Sequence, residues 1–238
     1  MRPGVVAVLL SATLLVLGAA PPDGSGPRPL PARMADTGGG TQLITAVAPG
    51  TGSTEGRVTW WDRRGGTDGR WVAAGSAPAR FGAGGLTDGA TREQGTSTTP
   101  TGLYDLPYAF GIEPAPRGTE YRYRPVRQDS WWCQDNASRA YNRWTEPRLA
   151  DCRATEAEHL ITYTAQYAHA LVVGFNYHRP VRGRGAGIFL HVDGRGATAG
   201  CVSVPREAMR RILRWAEPDQ RPHIAIGTRN GATAITRY

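Results

Sequence analysis

Short apolar runs recur along this chain and are separated by turns rich in glycine and polar residues. The runs at Gln42 to Ala48, Arg57 to Trp61 and Arg70 to Ala74 carry the β-branched and aromatic residues that favour strands. Similar runs follow at Ile161 to Gln166, Ala168 to Phe175, Ile188 to Val192, His223 to Gly227 and Ala232 to Thr236. With 31 glycines and 18 prolines to supply turns, the pattern predicts a mainly β fold.

One segment has the period of an amphipathic helix instead. Pro205 suits a first helical turn, and the Glu207 carboxylate favours the positive end of a helix. Pro218 prevents the helix from continuing past Glu217. The apolar residues of its inner face recur at i, i+3, i+4 and i+7, at Met209, Ile212, Leu213 and Ala216. We therefore expect one or two short helices beside the strands.

The first forty residues have a different composition from the rest. Met1 to Ala20 has a positive start at Arg2, an apolar run and then small residues, which is the pattern of a signal peptide. The run is shorter than the roughly 20 apolar residues of a membrane span. Pro21 to Gly40 is rich in proline and glycine and predicts a flexible tether. The folded domain is expected from 41 to 238, as a monomer without a stable membrane span.

The net charge is +8, which is compatible with nucleic acid, anionic lipid or acidic polymers as partners. All 28 basic residues are arginine, which is as typical of a GC-rich genome as of a binding surface. They form no dense basic run, so we expect no nucleic-acid partner.

The three cysteines fall into two groups once export is assumed. Cys133 and Cys152 lie in polar, loop-like surroundings and are expected to form a disulfide in an oxidising compartment. Cys201 is then left as the free thiol. A free thiol in an exported protein is a candidate reactive group, and pairing with another chain is the alternative.

The candidate chemistry lies at Gly187 to Val204. His191 ends an apolar strand, and a glycine-rich loop leads from it to Cys201. A thiol is a strong nucleophile only as the thiolate, and a neighbouring imidazole can take its proton. Gly200 allows a close backbone approach, so the Cys201 amide could bind an oxyanion. A metal site at His191, Asp193 and Cys201 is the weaker interpretation, because the ligand spacing of tetrahedral zinc is missing.

Other features have two interpretations each. The loop from Thr87 to Leu106 either delivers backbone donors to a site or is an ordinary exposed connection. Three tryptophans, Trp60, Trp61 and Trp71, either form a surface for sugar rings or, as strand tryptophans more often do, fill the core.

The motif around these residues resembles the L,D-transpeptidase catalytic domain, also called YkuD-like. Gly185 to Val202 is similar to a divergent branch that reads roughly Gly-x-x-Ile-Phe-x-His and, after a loop, Thr-x-Gly-Cys-Val. Thr91 to Gly102 resembles the branch's Arg-Glu-Gly and Thr-Pro-x-Gly segment, and Trp132 to Arg143 its Trp and Tyr-Asn-Arg segment. The commoner family form has histidine where Ala199 stands, and a longer interval between histidine and cysteine.

The resemblance implies a β-sandwich catalytic domain and a thioester mechanism on peptidoglycan stem peptides. Cys201 would be the nucleophile and His191 the general base and acid, with Gly200 at the oxyanion. The matched segments supply Thr198, Tyr141, Asn142 and Gly102 as candidate substrate-binding residues. The family needs no metal or organic cofactor, and carbapenems are its usual covalent inhibitors. An amine acceptor would give a 3→3 cross-link in the cell wall, whereas water would give carboxypeptidase activity.

Two rival functions stay open from the sequence. One is a peptidoglycan hydrolase or amidase that uses the same cysteine. The other is a silent wall-binding module in which Cys201 is structural and tryptophans and arginines hold glycan or anionic cell-wall polymers.

Overall fold

The structure is a computed structural model that describes residues 28–66 and 69–229. The predicted signal peptide, the first part of the predicted tether and the predicted strand Ala232 to Thr236 lie outside the described residues. Within the described part of the chain, no helix is long and apolar enough to cross a membrane.

The described residues form a mainly β fold, as predicted. Eleven strands form one mixed sheet in the order β4-β5-β14-β1-β2-β3-β13-β12-β11-β6-β7, and a smaller sheet has the order β10-β8-β9. The strands are β1 (Gln42–Ala48), β2 (Glu55–Arg64), β3 (Arg70–Arg80), β4 (Leu86–Asp88), β5 (Thr99–Asp105), β6 (Ala109–Gly111), β7 (Tyr123–Pro125), β8 (Trp131–Cys133), β9 (Arg143–Thr145), β10 (Ala157–His159), β11 (Ala170–Val172), β12 (Phe189–Val192), β13 (Val202–Val204) and β14 (His223–Thr228). This architecture is consistent with the expected β-sandwich.

The predicted helix forms as α1, Arg206–Trp215, with Pro205 at its N-cap. Its inner face carries Met209, Ile212 and Leu213, which are fully buried in the main hydrophobic core. On the outer face, arginines at 210, 211 and 214 pair with Glu207. Such exposed pairs contribute little, so burial of the apolar face holds the helix on the sheet.

Several strand boundaries differ from the sequence expectation. The hairpin strands β2 and β3 are longer than predicted, because their ladder extends from Glu55 opposite Arg80 to Arg64 opposite Arg70. The predicted strand at Ile161 to Gln166 is wrong, since a 3-10 helix occupies Leu160–Thr162. Here the Tyr163 N–H donates a hydrogen bond to the Leu160 carbonyl, so hydrogen bonds within the turn replace those of a strand ladder.

Two observations in the core concern other expectations. Trp60 and Trp71 are buried, so they fill the core rather than form a sugar-binding surface. Within the segment predicted to be a tether, Leu30–Arg33 forms a 3-10 helix. Its Leu30 packs against the cluster that contains Trp71.

Candidate active site

Side chains of strand β12, which carries His191, alternate between two hydrophobic clusters. Leu190 and Val192 of β12 face the main core, whereas Phe189 packs into a second cluster of buried residues that also contains Cys201. Side chains two apart on a strand share a face, so His191 lies on the Phe189 side. Strand β13 runs parallel beside β12, with Leu190 opposite Val202. This pairing brings the start of β13, directly after Cys201, next to the histidine strand.

The thiol is held by the backbone that precedes β12. The Cys201 Sγ–H donates to the Gly187 carbonyl at 3.3 Å, and the Phe189 N–H donates to Sγ at 3.4 Å. The side chain is buried, with 8% of its surface exposed. These contacts fix the position of Sγ from main-chain atoms, so its place does not depend on a mobile side chain.

The loop before Cys201 has a conformation that requires glycine. Gly200 has a φ of 137°, in the region that residues with a Cβ avoid. Thr198 closes the turn, because its Oγ1 donates to the Cys201 carbonyl at 2.7 Å and accepts from the Gly200 N–H at 3.1 Å. Predicted as substrate-binding, Thr198 therefore shapes the cysteine loop as well as lining the adjacent cavity.

His191 is held in one tautomer. Its Nδ1 lies 2.8 Å from the Val192 carbonyl oxygen, which can only accept a hydrogen bond, so Nδ1 carries the proton. The other nitrogen, Nε2, is then the basic atom of the neutral ring. Only 6% of the side chain is exposed.

The thiol and the imidazole line the same cavity of about 210 Å³. The loop from Gly194 to Thr198 also lines this cavity, as do Tyr163, Tyr167 and Glu158. A second cavity, of about 160 Å³, also reaches Cys201 and is lined by Arg92, Gln94 and Gln134 among others. Glu158, Ala199 and Cys201 belong to the walls of both cavities.

The electrostatics favour an uncharged resting pair. Burial and the neighbouring Glu158 carboxylate raise the pKa of Cys201 to about 12, against small opposing effects from the Phe189 N–H and Arg92. Burial lowers the pKa of His191 below its ordinary 6.5, although the Val192 carbonyl and Asp193 oppose this shift. At neutral pH the site therefore holds a thiol and a neutral imidazole, and the proton must move as the thiol attacks.

Glu158 is a site residue that the sequence reasoning missed. It lies on β10, and its Oε1 accepts from Gln134 Nε2 at 2.7 Å while its other oxygen accepts from the Tyr167 hydroxyl. Burial raises its pKa. In the sequence Glu158 stands in a charged segment, Glu156 to Leu160, before two strand-like runs, and only the structure pairs it with Trp132 across β10 and β8.

The other predicted substrate-binding residues do not line either of the two cavities that reach Cys201. Tyr141 donates to Gln94 at 2.9 Å and accepts from the Gly185 N–H at 2.9 Å, so it supports the wall of the second cavity. Asn142 is buried and accepts from the Gly187 N–H at 3.0 Å. Gly102 lines a separate cavity beside Tyr104. A substrate-binding role for these three residues stays a prediction.

The loop from Thr87 to Leu106, which had two interpretations, reaches the site at one side. Its Thr99 Oγ1 donates to the Cys201 carbonyl at 3.3 Å and accepts from the Gly82 N–H at 2.8 Å. Its Arg92 and Gln94 line the second cavity. The part of the loop near Thr99 is therefore packed under the cysteine turn.

The predicted disulfide between Cys133 and Cys152 is present, and Cys201 is the free cysteine. The bridge joins residues 19 apart, with Cα atoms separated by 6.2 Å. Asp193, considered as a metal ligand, accepts from Ser203 Oγ at 2.7 Å. Across residues 28–66 and 69–229, no group of three or more His, Cys, Asp or Glu side chains could hold a metal ion.

A mainly β fold that places a free thiol and a single-tautomer imidazole on one cavity has the groups that cysteine acyltransferases require. The family model of the L,D-transpeptidase catalytic domain (YkuD) matches residues 52–228. The match covers well over half of the 238 residues, and the chain belongs to this family. A comparison with curated proteins found no match.

Proposed function

We propose that this protein is an exported L,D-transpeptidase that forms 3→3 cross-links between peptidoglycan stem peptides through a Cys201 thioester. The observation that carries the proposal is the shared cavity of Cys201 and His191 within a fold of this family. Oxidising surroundings are supported by the Cys133–Cys152 disulfide, which fits a location in the cell wall.

The first half of the reaction makes the acyl-enzyme. Sγ of Cys201 bonds to the carbonyl carbon of the L-centre that precedes the terminal D-amino acid, as His191 Nε2 takes the thiol proton. The Cys201 amide stabilises the oxyanion of the tetrahedral intermediate. His191 then gives its proton to the departing amine, the C–N bond breaks, and the D-amino acid leaves a thioester on Cys201.

The second half transfers the acyl group to an amine of a neighbouring stem. The amine nitrogen attacks the thioester carbon, loses a proton to His191, and the C–S bond breaks. The sulfur recovers the proton, which restores the resting thiol. Because Cys201 lies in the walls of two cavities, each side of the thioester can hold one peptide, which supports transfer over hydrolysis.

The test uses a defined tetrapeptide stem and the purified protein. We expect a product whose mass equals two stems minus one D-amino acid, and no product with Cys201→Ala. Release of the D-amino acid without any dimer, even with added amine, would identify a carboxypeptidase. No turnover and no carbapenem adduct on intact Cys201 would identify the silent wall-binding module.

We propose in addition that anionic cell-wall polymers bind at a larger cavity of about 430 Å³ elsewhere on the domain. Three arginines, Arg122, Arg124 and Arg143, line it with aromatic residues. Clustered guanidinium groups attract phosphate or carboxylate polymers. Binding of wall polymer that falls with added salt, and weakens in Arg143→Gln, would support this site.

A further inference from the structure

Arg92 is a buried cation beside the nucleophile, and the reaction steps above do not use it. The residue lies in the loop between β4 and β5, has 6% of its surface exposed, and lines the second cavity together with Cys201. Burial lowers the pKa of its guanidinium, so the environment opposes the charge that the group carries.

The contacts of Arg92 within the protein are all with neutral groups. Its Nε donates to the Thr98 carbonyl at 2.8 Å, and its Nη1 donates to the Arg184 carbonyl at 3.0 Å. The guanidinium also lies over the Phe175 ring, 5.7 Å from the centroid. No carboxylate in the described ranges, 28–66 and 69–229, forms an ion pair with it. The Glu158 carboxylate of the same cavity is bonded to Gln134 and Tyr167 instead.

A buried charge without a counter-charge is costly, and proteins keep such groups where a ligand supplies the opposite charge. The guanidinium also lies close in space to the turn that carries the reacting sulfur. A Cβ placed on Gly200, the residue before Cys201, would lie 3.0 Å from Arg92 Nη2. An anion bound by Nη2 would therefore lie beside the cysteine turn.

We propose that Arg92 binds the terminal α-carboxylate of the D-amino acid that leaves during acylation. This inference rests on the proposed function. The carbonyl carbon attacked by Cys201 is one residue away from that carboxylate, and one residue spans at most about 3.6 Å. Arg92 Nη2 lies beside Gly200, the residue before the nucleophile, so an anion bound there would be adjacent to the reacting sulfur. Guanidinium groups hold carboxylates through two parallel hydrogen bonds, so the contact also orients the scissile amide.

The proposal has a consequence for specificity. A peptide bond inside a longer chain presents an amide, not a carboxylate, at the Arg92 position. Such a bond would leave the guanidinium without its anion and would be cleaved slowly. Arg92 would thus restrict the enzyme to the last residue of the stem.

The experiment compares two donor tetrapeptides, one with a free terminal carboxylate and one with a terminal carboxamide. In the natural protein we expect kcat/KM for release of the D-residue to be roughly 10- to 100-fold higher for the peptide with the free carboxylate (the acid) than for the carboxamide (the amide). Hydrogen bonds between charged groups stabilise binding by about this factor. Arg92→Gln should reduce kcat/KM for the acid by that factor and leave the amide almost unchanged. Arg92→Lys should recover part of the preference. Arg117→Gln, which removes an exposed arginine and the same charge, should keep the full preference.

The acid-to-amide ratio does not depend on how much of a variant is folded, so partial loss of folding in Arg92→Gln leaves it interpretable. Equal rates on acid and amide in the natural protein would overturn the inference while leaving the proposed function in place. An equal fall on both peptides in Arg92→Gln would show a purely structural Arg92. If neither peptide is turned over and no thioester forms on Cys201, the proposed function fails first.

Discussion

The three cysteines of this chain are all buried but lie in two regions with opposite chemistry. Cys133 and Cys152 are 0% exposed and bonded to each other, within a small cluster that contains Leu149 and Ala157. Cys201 is 8% exposed, its sulfur is hydrogen-bonded to the backbone at Gly187 and Phe189, and it borders two cavities. Burial alone therefore does not decide what a cysteine does. The presence of a partner sulfur, or of a cavity with an imidazole, decides it.

The two regions are also connected. The Cys133 carbonyl accepts from the Asn142 N–H at 2.8 Å, and Asn142 in turn accepts from the N–H of Gly187, whose carbonyl holds the Cys201 thiol. Beside Cys133, Gln134 donates to Glu158 in the wall of the cavity. The disulfide region thus helps to hold the backbone around the thiol in place. The following predictions distinguish residues that act in the reaction from residues that stabilise the fold around the site.

Cys201→Ala should have the largest effect on activity. Removal of the nucleophile is expected to lower acyl transfer by more than about 1,000-fold, because no other group can form the thioester. The midpoint temperature of thermal unfolding should change much less in this variant than in a variant that lacks the disulfide. Residual turnover near that of the natural protein, measured by D-amino acid release, would contradict the assignment of Cys201.

His191→Gln should reduce the acylation rate by roughly 100- to 10,000-fold, as for loss of a general base. The pH profile is the sharper measurement. In the natural protein the rate should fall as pH drops through the lowered pKa of His191, below 6.5, since the imidazolium cannot accept a proton. Above that pH the rate should be flat. A rate that instead rises steadily toward pH 12 would mean that the thiol ionises without His191.

The double variant Cys133→Ala, Cys152→Ala should destabilise the fold by about 3 kcal/mol, the chain-entropy cost of a loop of this length. Chemical denaturation with and without a reductant would measure it. The natural protein in reductant should match the double variant. A loss of acyl transfer without any loss of stability would mean that the disulfide contributes to the reaction itself. The disulfide region and the thiol region would then not differ in role as described above.

Glu158→Gln should have the smallest effect, and we expect to detect it in the reactivity of the thiol. The amide can still accept from Tyr167, but the negative charge that raises the pKa of Cys201 is gone. The pKa of Cys201 should therefore fall, and alkylation by iodoacetamide at fixed pH should become several-fold faster, in line with the larger thiolate fraction. Glu93→Gln, at an exposed carboxylate outside both cavities, is the matched control and should leave the alkylation rate unchanged.

Parts of the fold were predictable because the signal is local. β1, the buried face of the helix and β14 could be predicted from the spacing of apolar residues within each segment. Ile161 to Gln166 has a strand-like composition, but it pairs with no strand of the described part of the chain, and its Tyr163 is 38% exposed. Strand formation needs a neighbouring strand, which a single segment does not encode.

The candidate site likewise contains residues that could be linked from the sequence and residues that only the fold brings together. His191, Gly200 and Cys201 lie within one short stretch, so the strand, the glycine and the thiol could be linked in the sequence. Glu158 and Arg92 come from distant segments, and the segment from Thr91 to Gly102, although it resembles the family, does not by itself place Arg92 beside Cys201. They share cavity walls with Cys201 because the fold brings the small sheet and the β4–β5 loop beside the cysteine turn.

The sequence by itself therefore determined the mainly β class, the helix, the pairing of Cys133 with Cys152 and the free Cys201 with its nearby His191. These features depend on local period, turn residues and the number of cysteines. Only the tertiary structure decided the tautomer of His191, the raised pKa of the thiol, and the burial of the Arg92 guanidinium against the carbonyls of Thr98 and Arg184. The reason is physical: desolvation and charge act through space, between groups that the chain order keeps far apart.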